Sequence, residues 1–147
     1  MIILKASPKI LKILKEYSID IDALQHSLMY ILQIYTNKFN TKDIEIKIVC
    51  RKNNKNYGLY EFESKKIAIC TPCLNDKNTF LSALLHEFRH WIQHSVDGIS
   101  PLAILSKGIK YEDNAYEQQC CRFEEVALPI ILNNIDNYEK LIQYFKQ

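Results

Sequence analysis

The pattern His86-Glu87-Phe88-Arg89-His90 constrains this chain most, because its spacing brings the two histidines together only on a helix. On an α-helix, His86 and His90 lie one turn apart and about 40° apart around the axis. Two neutral imidazoles can then bind one Zn²⁺, while the carboxylate of Glu87 lies beside them and can act on a zinc-bound water. A pattern with three fixed positions also arises by chance, so its surroundings must decide whether it is a site.

The residues around this pattern predict a helix whose buried face excludes the candidate ligands. From residue 80 onward, the apolar side chains fall within one arc of about 140° around the axis. They are Phe80, Leu81, Leu84, Leu85, Phe88, Trp91 and Ile92. His86, Glu87 and His90 fall on the neighbouring face. A metal site needs this separation, because its ligands must leave the core while the other side of the helix is anchored in it.

The N-terminal third predicts helices at the start of a single α+β domain that covers residues 1–147. Ser7 and Pro8 are typical of a helix start, with serine as the cap and proline in the first turn. A second helix is expected after Asp20 or Asp22, where apolar residues recur at helical spacing.

Strands are expected in the middle of the chain, where the apolar period changes to two. The predicted strands lie near residues 44–49, 60–63 and 66–70. We expect them to form a small antiparallel sheet that precedes the histidine helix. Three residues can cap that helix: Asn75, Asp76 or Asn78.

Two further helices are expected downstream. Glycine and proline interrupt residues 97–110, which predicts a long connection with one short helical turn near residues 102–105. The next helix should begin near Asp113 or Asn114, and Pro129 should disturb or end it. Residues 136–145 predict a last amphipathic helix. Its inward-facing side chains would be Tyr138, Leu141, Ile142 and Phe145.

Charge and composition limit the expected partners and location. The 19 basic and 17 acidic residues give a net charge of +2, and no dense basic block is present, so a nucleic-acid partner is not expected. A membrane span needs roughly 18 apolar residues, and no such run or signal peptide is recognised. We therefore expect a cytoplasmic protein without membrane contact, whose five cysteines are reduced thiols.

Two cysteine pairs offer a competing chemistry. Cys70 and Cys73 have the C-x-x-C spacing of a redox pair or of half a zinc site, and Cys120 with Cys121 could supply the other half. Adjacent cysteines are poorly spaced for binding one metal ion. Buried or incidental thiols are the simpler interpretation.

The histidine pattern lacks a third protein ligand for a tetrahedral zinc that keeps its fourth position for water. His94 is the nearest candidate, but on a continuous helix it lies about 12 Å along the axis from His86. Zinc–nitrogen bonds of about 2 Å cannot join His86, His90 and His94 to one ion. We therefore expect His94 beside the site or at the surface.

Glu117 is the better candidate for the third ligand. It lies early on the next helix, at a phase that differs from the buried stripe of Tyr116, Cys120, Phe123 and Ala127. The competing interpretation is a capping box, in which Asn114 caps the helix and Glu117 bonds back to it. Three other acids also compete for the ligand role: Glu112, Asp113 and Glu124.

The sequence HEFRHWIQH from His86, followed by E-x-x-C-x-x-F from Glu117, resembles small gluzincin-type metallopeptidases in their minimal single-domain form. In that family H-E-x-x-H precedes a helix that carries a ligand glutamate. The resemblance implies a zincin-like fold in which the two helices pack together. It implies one Zn²⁺ bound by His86, His90 and Glu117, with Glu87 as general base. Cys120 departs from the family, which commonly has a small residue there.

The resemblance also implies hydrolysis of a peptide bond in a peptide or protein substrate. Zinc lowers the pKa of its bound water to about 7, and Glu87 takes that proton as the hydroxide attacks the carbonyl. Tyr111 or Tyr116 could donate a hydrogen bond to the oxyanion. The strand at 66–70 would pair with an extended peptide.

Two alternatives remain beside this interpretation. One is a zinc-containing binding or regulatory protein that keeps the scaffold without turnover. The other is a SprT-like protease that acts on DNA-bound proteins, against which the low net charge and the lack of a basic, cysteine-rich tail argue.

Overall fold

The computed structural model describes residues 1–35 and 43–146, without the side chains of 138, 139, 141–143, 145 and 146. Along these residues, five α-helices combine with one four-stranded sheet. The elements are β1 (Ile2–Ala6), α1 (Pro8–Glu16), α2 (Ile21–Tyr35), β2 (Ile44–Arg51), β3 (Gly58–Glu61), β4 (Lys66–Cys70), α3 (Lys77–Trp91), α4 (Pro101–Leu105) and α5 (Ala115–Lys146). The α+β prediction is confirmed.

The sheet is mixed, so the prediction of an antiparallel sheet is wrong. Its strand order is β1-β2-β4-β3, with β1 parallel to β2, β2 parallel to β4, and β3 antiparallel to β4. β1 was not expected from the sequence. Helices α1 and α2 connect β1 to β2, and a parallel pair needs such a crossover.

The outer edge of the sheet is β3, because β4 pairs with β2 on one side and β3 on the other. The expectation that residues 66–70 would pair with an extended peptide is therefore wrong. The backbone groups that remain available for strand addition belong to β3 and, at the opposite end of the sheet, to β1.

Both N-terminal helices begin where the sequence predicts. Ser7 Oγ accepts a hydrogen bond from Ile10 N at 3.4 Å, and Pro8 occupies the first turn of α1. Asp20 Oδ1 accepts from the backbone N–H groups of Asp22 and Ala23 at the start of α2. These bonds satisfy donors that a helix leaves unpaired at its first turn.

The histidine helix α3 lies between α5 and the strands β3 and β4. Its cap is Asp76, whose Oδ2 accepts from the backbone N–H of Thr79 at 2.8 Å. All seven apolar residues predicted to face the core are at most 4% exposed. The neighbouring face is also covered, because Glu87 and His90 are only 6% and 5% exposed.

The C-terminal helix α5 runs without a break through Pro129, so the predicted end at Pro129 and the separate last helix are wrong. Proline removes one backbone hydrogen bond and crowds the carbonyl four residues earlier. Pro129 is exposed, so the freed carbonyl can bond water. Ala127, Ile131 and Ile135 are buried on either side and anchor the helix. The side chains of Tyr138, Leu141, Ile142 and Phe145 lie outside the described residues.

Among the described residues, no helix combines the length and apolar character needed to cross a membrane.

Candidate metal centre

One carboxylate on α5 joins both histidines of α3. His86 Nε2 lies 2.9 Å from Glu117 Oε2, and His90 Nε2 lies 3.0 Å from Glu117 Oε1. Zinc bonds of about 2.0–2.1 Å at tetrahedral angles would separate such nitrogen and oxygen atoms by roughly 3.3 Å. Each of the two nitrogen–oxygen separations is therefore within a few tenths of an ångström of the value expected for donors that share one metal ion.

Glu117 contacts the histidines without giving up the helix cap. Asn114 Oδ1 accepts from the backbone N–H groups of Tyr116 and Glu117, at 2.9 and 3.2 Å, and so caps α5. The carboxylate of Glu117 points instead at the two imidazoles. Asn114 thus caps the helix as the capping alternative expects, but the Glu117 side chain contacts the two imidazoles instead of bonding back to the cap.

The outer nitrogen of each histidine also has an acceptor. His86 Nδ1 lies 2.9 Å from Glu124 Oε2, and His90 Nδ1 lies 2.9 Å from Gln93 Oε1. Gln93 is completely buried and donates from Nε2 to the backbone oxygen of Tyr116 at 3.0 Å. When a metal is bound, such acceptors would hold the proton on Nδ1 and direct Nε2 towards the ion.

Sequence reasoning missed both of these supporting roles. The sequence predicts Glu124 only as a competing ligand, although it lies seven residues, or about two turns, from Glu117 on the same side of α5. Gln93 follows His90 by three residues and is a polar residue within a buried apolar helix end. That placement is the signal that could have identified it.

His94 lies on the π-helical turn Ile92–Val96 that follows α3. Tyr60 Oη lies 3.0 Å from His94 Nδ1, and the ring of Phe62 packs edge-on against the imidazole. The side chain of His94 therefore supports the sheet edge at and just after β3, away from the two histidines that face Glu117.

The side chain of Glu87 packs closely against the backbone of β3 at Gly58. A Cβ atom at Gly58 would lie 2.8 Å from Glu87 Cγ and 3.2 Å from Ala68 O, so glycine leaves the space that this carboxylate occupies. Burial raises the pKa of Glu87 to about 7, although the nearby imidazoles of His90 and His86 oppose the shift. The carboxyl can therefore exchange a proton near neutral pH.

The histidine–glutamate contacts also shift the pKa values of His86 and Glu117. Burial alone would lower the pKa of His86, but its hydrogen bonds with Glu117 and Glu124 outweigh burial and raise it to about 10. Burial alone would raise the pKa of Glu117, but the hydrogen bonds with His86 and His90 lower it to about 2. Without a metal ion, the protonated imidazole of His86 supplies the positive charge beside these carboxylates.

Cys120 lies in the same cluster. Its thiol and one ring nitrogen each of His86 and His90 lie within 4.8 Å of one another, so these three residues could hold a metal ion. The side chain is completely buried and forms no disulfide. Cys70 and Cys73 are also buried free thiols, one at the end of β4 and the other in the 3₁₀ turn after it.

A cleft of about 770 Å³ opens onto His86, Glu87 and His90. Residues of β3 and α4 contribute to its wall, which includes Gly58, Leu59, Ile104 and Leu105. Tyr111 lines the cleft, and its hydroxyl lies 3.6 Å from Cys121 Sγ. Tyr116 is not part of this wall. Of the two predicted oxyanion donors, Tyr111 is the one that faces the cleft.

No protein-family model, curated protein or solved structure matches this chain.

Proposed function

We propose that this protein is a zinc-dependent metallopeptidase of gluzincin type, with His86, His90 and Glu117 as the zinc ligands. One observation carries the proposal: the carboxylate of Glu117 lies within 3.0 Å of both imidazoles, and these groups line one cleft together with the buried Glu87. Two imidazoles and a carboxylate are a common ligand set of catalytic zinc, which keeps a fourth position for water.

The donor atoms favour zinc over hard cations. Magnesium and calcium prefer oxygen ligands, whereas imidazole nitrogen suits zinc and neighbouring transition metals. The site supplies two nitrogens and one carboxylate, and Glu124 and Gln93 orient the imidazoles. A bound zinc would supply an acidic water and a Lewis acid for the substrate carbonyl.

In the proposed reaction, Glu87 accepts a proton from the attacking water and later returns it to the leaving amine. Its carboxylate lies beside the two histidines and lines the cleft, where it can reach both the water and the leaving group. The Tyr111 hydroxyl donates to the developing oxyanion from the cleft wall. An extended peptide or protein segment pairs with the free edge of β3 and presents its carbonyl to the site.

Five free thiols are consistent with a reducing compartment, and we propose the cytoplasm as the location.

A second function, a zinc-containing binding protein without turnover, is favoured by Cys120. A fourth protein ligand beside the two histidines would complete a tetrahedral zinc and exclude the water, as in structural sites. Such a protein would bind zinc and leave peptides uncleaved.

Substitution of Glu87 and His90 tests the proposed function. We expect Glu87→Gln to retain about one zinc per chain and to lose hydrolysis at least about 100-fold, because the variant lacks the general base. His90→Ala should lose both zinc and hydrolysis. Zinc would be counted by elemental analysis, and cleavage would be followed on a mixed peptide library by mass spectrometry.

Two outcomes would contradict the proposal. A fully active Glu87→Gln protein would exclude Glu87 as the base. Stoichiometric zinc in the wild type with every library peptide intact would favour the binding protein instead.

A further inference from the structure

Cys120 is a buried thiol that the proposed peptidase mechanism does not use. It lies three residues after Glu117, nearly one turn along the same side of α5. Its sulfur lies within 4.8 Å of a ring nitrogen on each of His86 and His90. The sulfur is therefore in the cluster of donors and is not an isolated cysteine elsewhere in the core.

The separation is close to what a shared metal requires. With bonds of about 2.3 Å to sulfur and 2.0–2.1 Å to nitrogen, the donor atoms of a tetrahedral zinc lie roughly 3.5 Å apart. Because the donor atoms lie within 4.8 Å of one another, a shift of at most about 1.3 Å is needed, which a change of side-chain torsion can provide. Thiolate is also a preferred ligand of zinc.

Cys120 does not line the cleft. Cys120 is 0% exposed, whereas its neighbour Cys121 lines the cleft with Glu117 and Glu124. The thiol of Cys120 is therefore shielded from bulk solvent. This placement suits a ligand and does not suit a group that contacts the substrate.

We propose that Cys120 is a fourth protein ligand, which closes the metal site in its resting state. The sulfur–metal bond would form as the thiol proton is transferred to a water molecule in the cleft, and the thiol would take up a proton again when that bond breaks. The site then has four protein ligands, and the position needed for a reactive water is filled. Release of the sulfur reopens that position, so the fraction of open sites limits turnover. The inference rests on the proposed metal site and adds its regulation.

Cobalt(II) provides a readout that does not depend on activity. We would load the metal-free, full-length protein with Co²⁺ alone and record its absorption spectrum. A tetrahedral or five-coordinate cobalt site gives visible bands whatever its ligands, whereas a bound thiolate adds an intense charge-transfer band in the near ultraviolet. We expect both features in the wild type.

The adjacent cysteine supplies a matched control. Cys120→Ala and Cys120→Ser should lose the charge-transfer band and keep the visible cobalt bands, while Cys121→Ala should keep both. With zinc bound, turnover per metal ion should rise in Cys120→Ala, because the fourth position stays open.

The possible failures are distinguishable. Visible cobalt bands without a charge-transfer band in the wild type would overturn the role of Cys120 and leave the proposed peptidase site standing. A charge-transfer band that persists in Cys120→Ala would also overturn it. If the wild type bound no cobalt and no zinc, the proposed function itself would fail together with this inference.

Discussion

At the scale of single residues, position 58 has no room for a side chain, because Glu87 packs against the Gly58 backbone. A Cβ at this position would lie 2.8 Å from Glu87 Cγ and 3.2 Å from Glu87 Oε1. The backbone of β3 also pairs with β4 at this point, since Gly58 is in register with Ile69. β3 cannot move away from Glu87 without breaking its pairing with β4, so an added methyl group at position 58 must displace the Glu87 side chain.

We therefore expect Gly58→Ala to impair the chemical step and spare metal binding. A displacement of about 1 Å in a catalytic group can cost about 100-fold in rate, and we expect kcat to fall by that order with about one zinc per chain retained. Steady-state kinetics with elemental analysis would measure both quantities.

Gly98→Ala is a suitable control, because a Cβ there meets no atom within 4 Å but the residue has a φ of +69°. It should lower stability and leave kcat unchanged. Wild-type kcat in Gly58→Ala would show that Glu87 tolerates the methyl group.

The residues of the centre differ in how far sequence could predict them. His86, Glu87 and His90 follow from the spacing of one helix, which is a local property. Glu117 required a phase argument on a second helix. The role of Gly58 depends on a strand crossing above the helix, and no local pattern encodes that distance.

At the scale of elements, the stability of α3 should depend on pH, because the charged side chain of Asp76 caps its first turn. Asp76 Oδ2 accepts from the backbone N–H and from Oγ1 of Thr79, at 2.8 and 2.6 Å. The side-chain hydrogen bond and then the backbone one lower the pKa of Asp76 below its usual 3.8. Because the folded-state pKa is the lower one, this stabilisation is present above pH 3.8 and is lost as the pH falls through the folded value.

Asp76→Asn should therefore destabilise the protein at neutral pH and less so in acid. Asparagine can still cap the helix but carries no charge to titrate. We expect the difference in urea midpoint between wild type and Asp76→Asn to shrink below about pH 3.8. The midpoints would be measured on metal-free protein from pH 7 to pH 3.

Thr79→Val provides the second variant for this prediction. It removes the largest cause of the pKa shift and keeps the backbone bond to the cap, so its pH dependence should be weaker than that of the wild type. A midpoint difference that is the same at every pH would contradict the assignment to Asp76.

The sequence predicts most of the individual helices and strands, but it does not predict which strands pair or in which direction they run. Alternation identified the strands near β2, β3 and β4, but strand direction depends on which connections cross the sheet, and β1 is a five-residue strand whose pairing with β2 is non-local. At Pro129, in contrast, the local sequence predicts a helix end that does not occur in α5. Its local cost is real, but the buried residues Ile131 and Ile135 hold α5 together beyond it.

At the scale of the whole molecule, the candidate centre joins helices that are distant in sequence. His86 and Glu117 are 31 residues apart, and their contact lies where α3 packs against α5. The packing does not depend on this contact alone, because the ring of Phe88 on α3 also packs at a tilt against the ring of Phe123 on α5, with a ring-centroid distance of 6.3 Å. In the absence of metal, the bonds between Glu117 and the histidines keep the helices together.

Metal removal should therefore weaken the fold without abolishing it. A ligand that binds only the folded state adds about 2.7 kcal/mol at a free concentration 100 times its Kd. We expect zinc at that excess to raise the unfolding midpoint by a corresponding amount, and chelation to reverse the rise while the helical circular dichroism persists. In His90→Ala the zinc-dependent shift should disappear. Complete unfolding on chelation would mean that the apolar contacts between α3 and α5 cannot hold the helices together by themselves, and equal midpoints with and without zinc would mean that the folded protein has no preferred site for the ion.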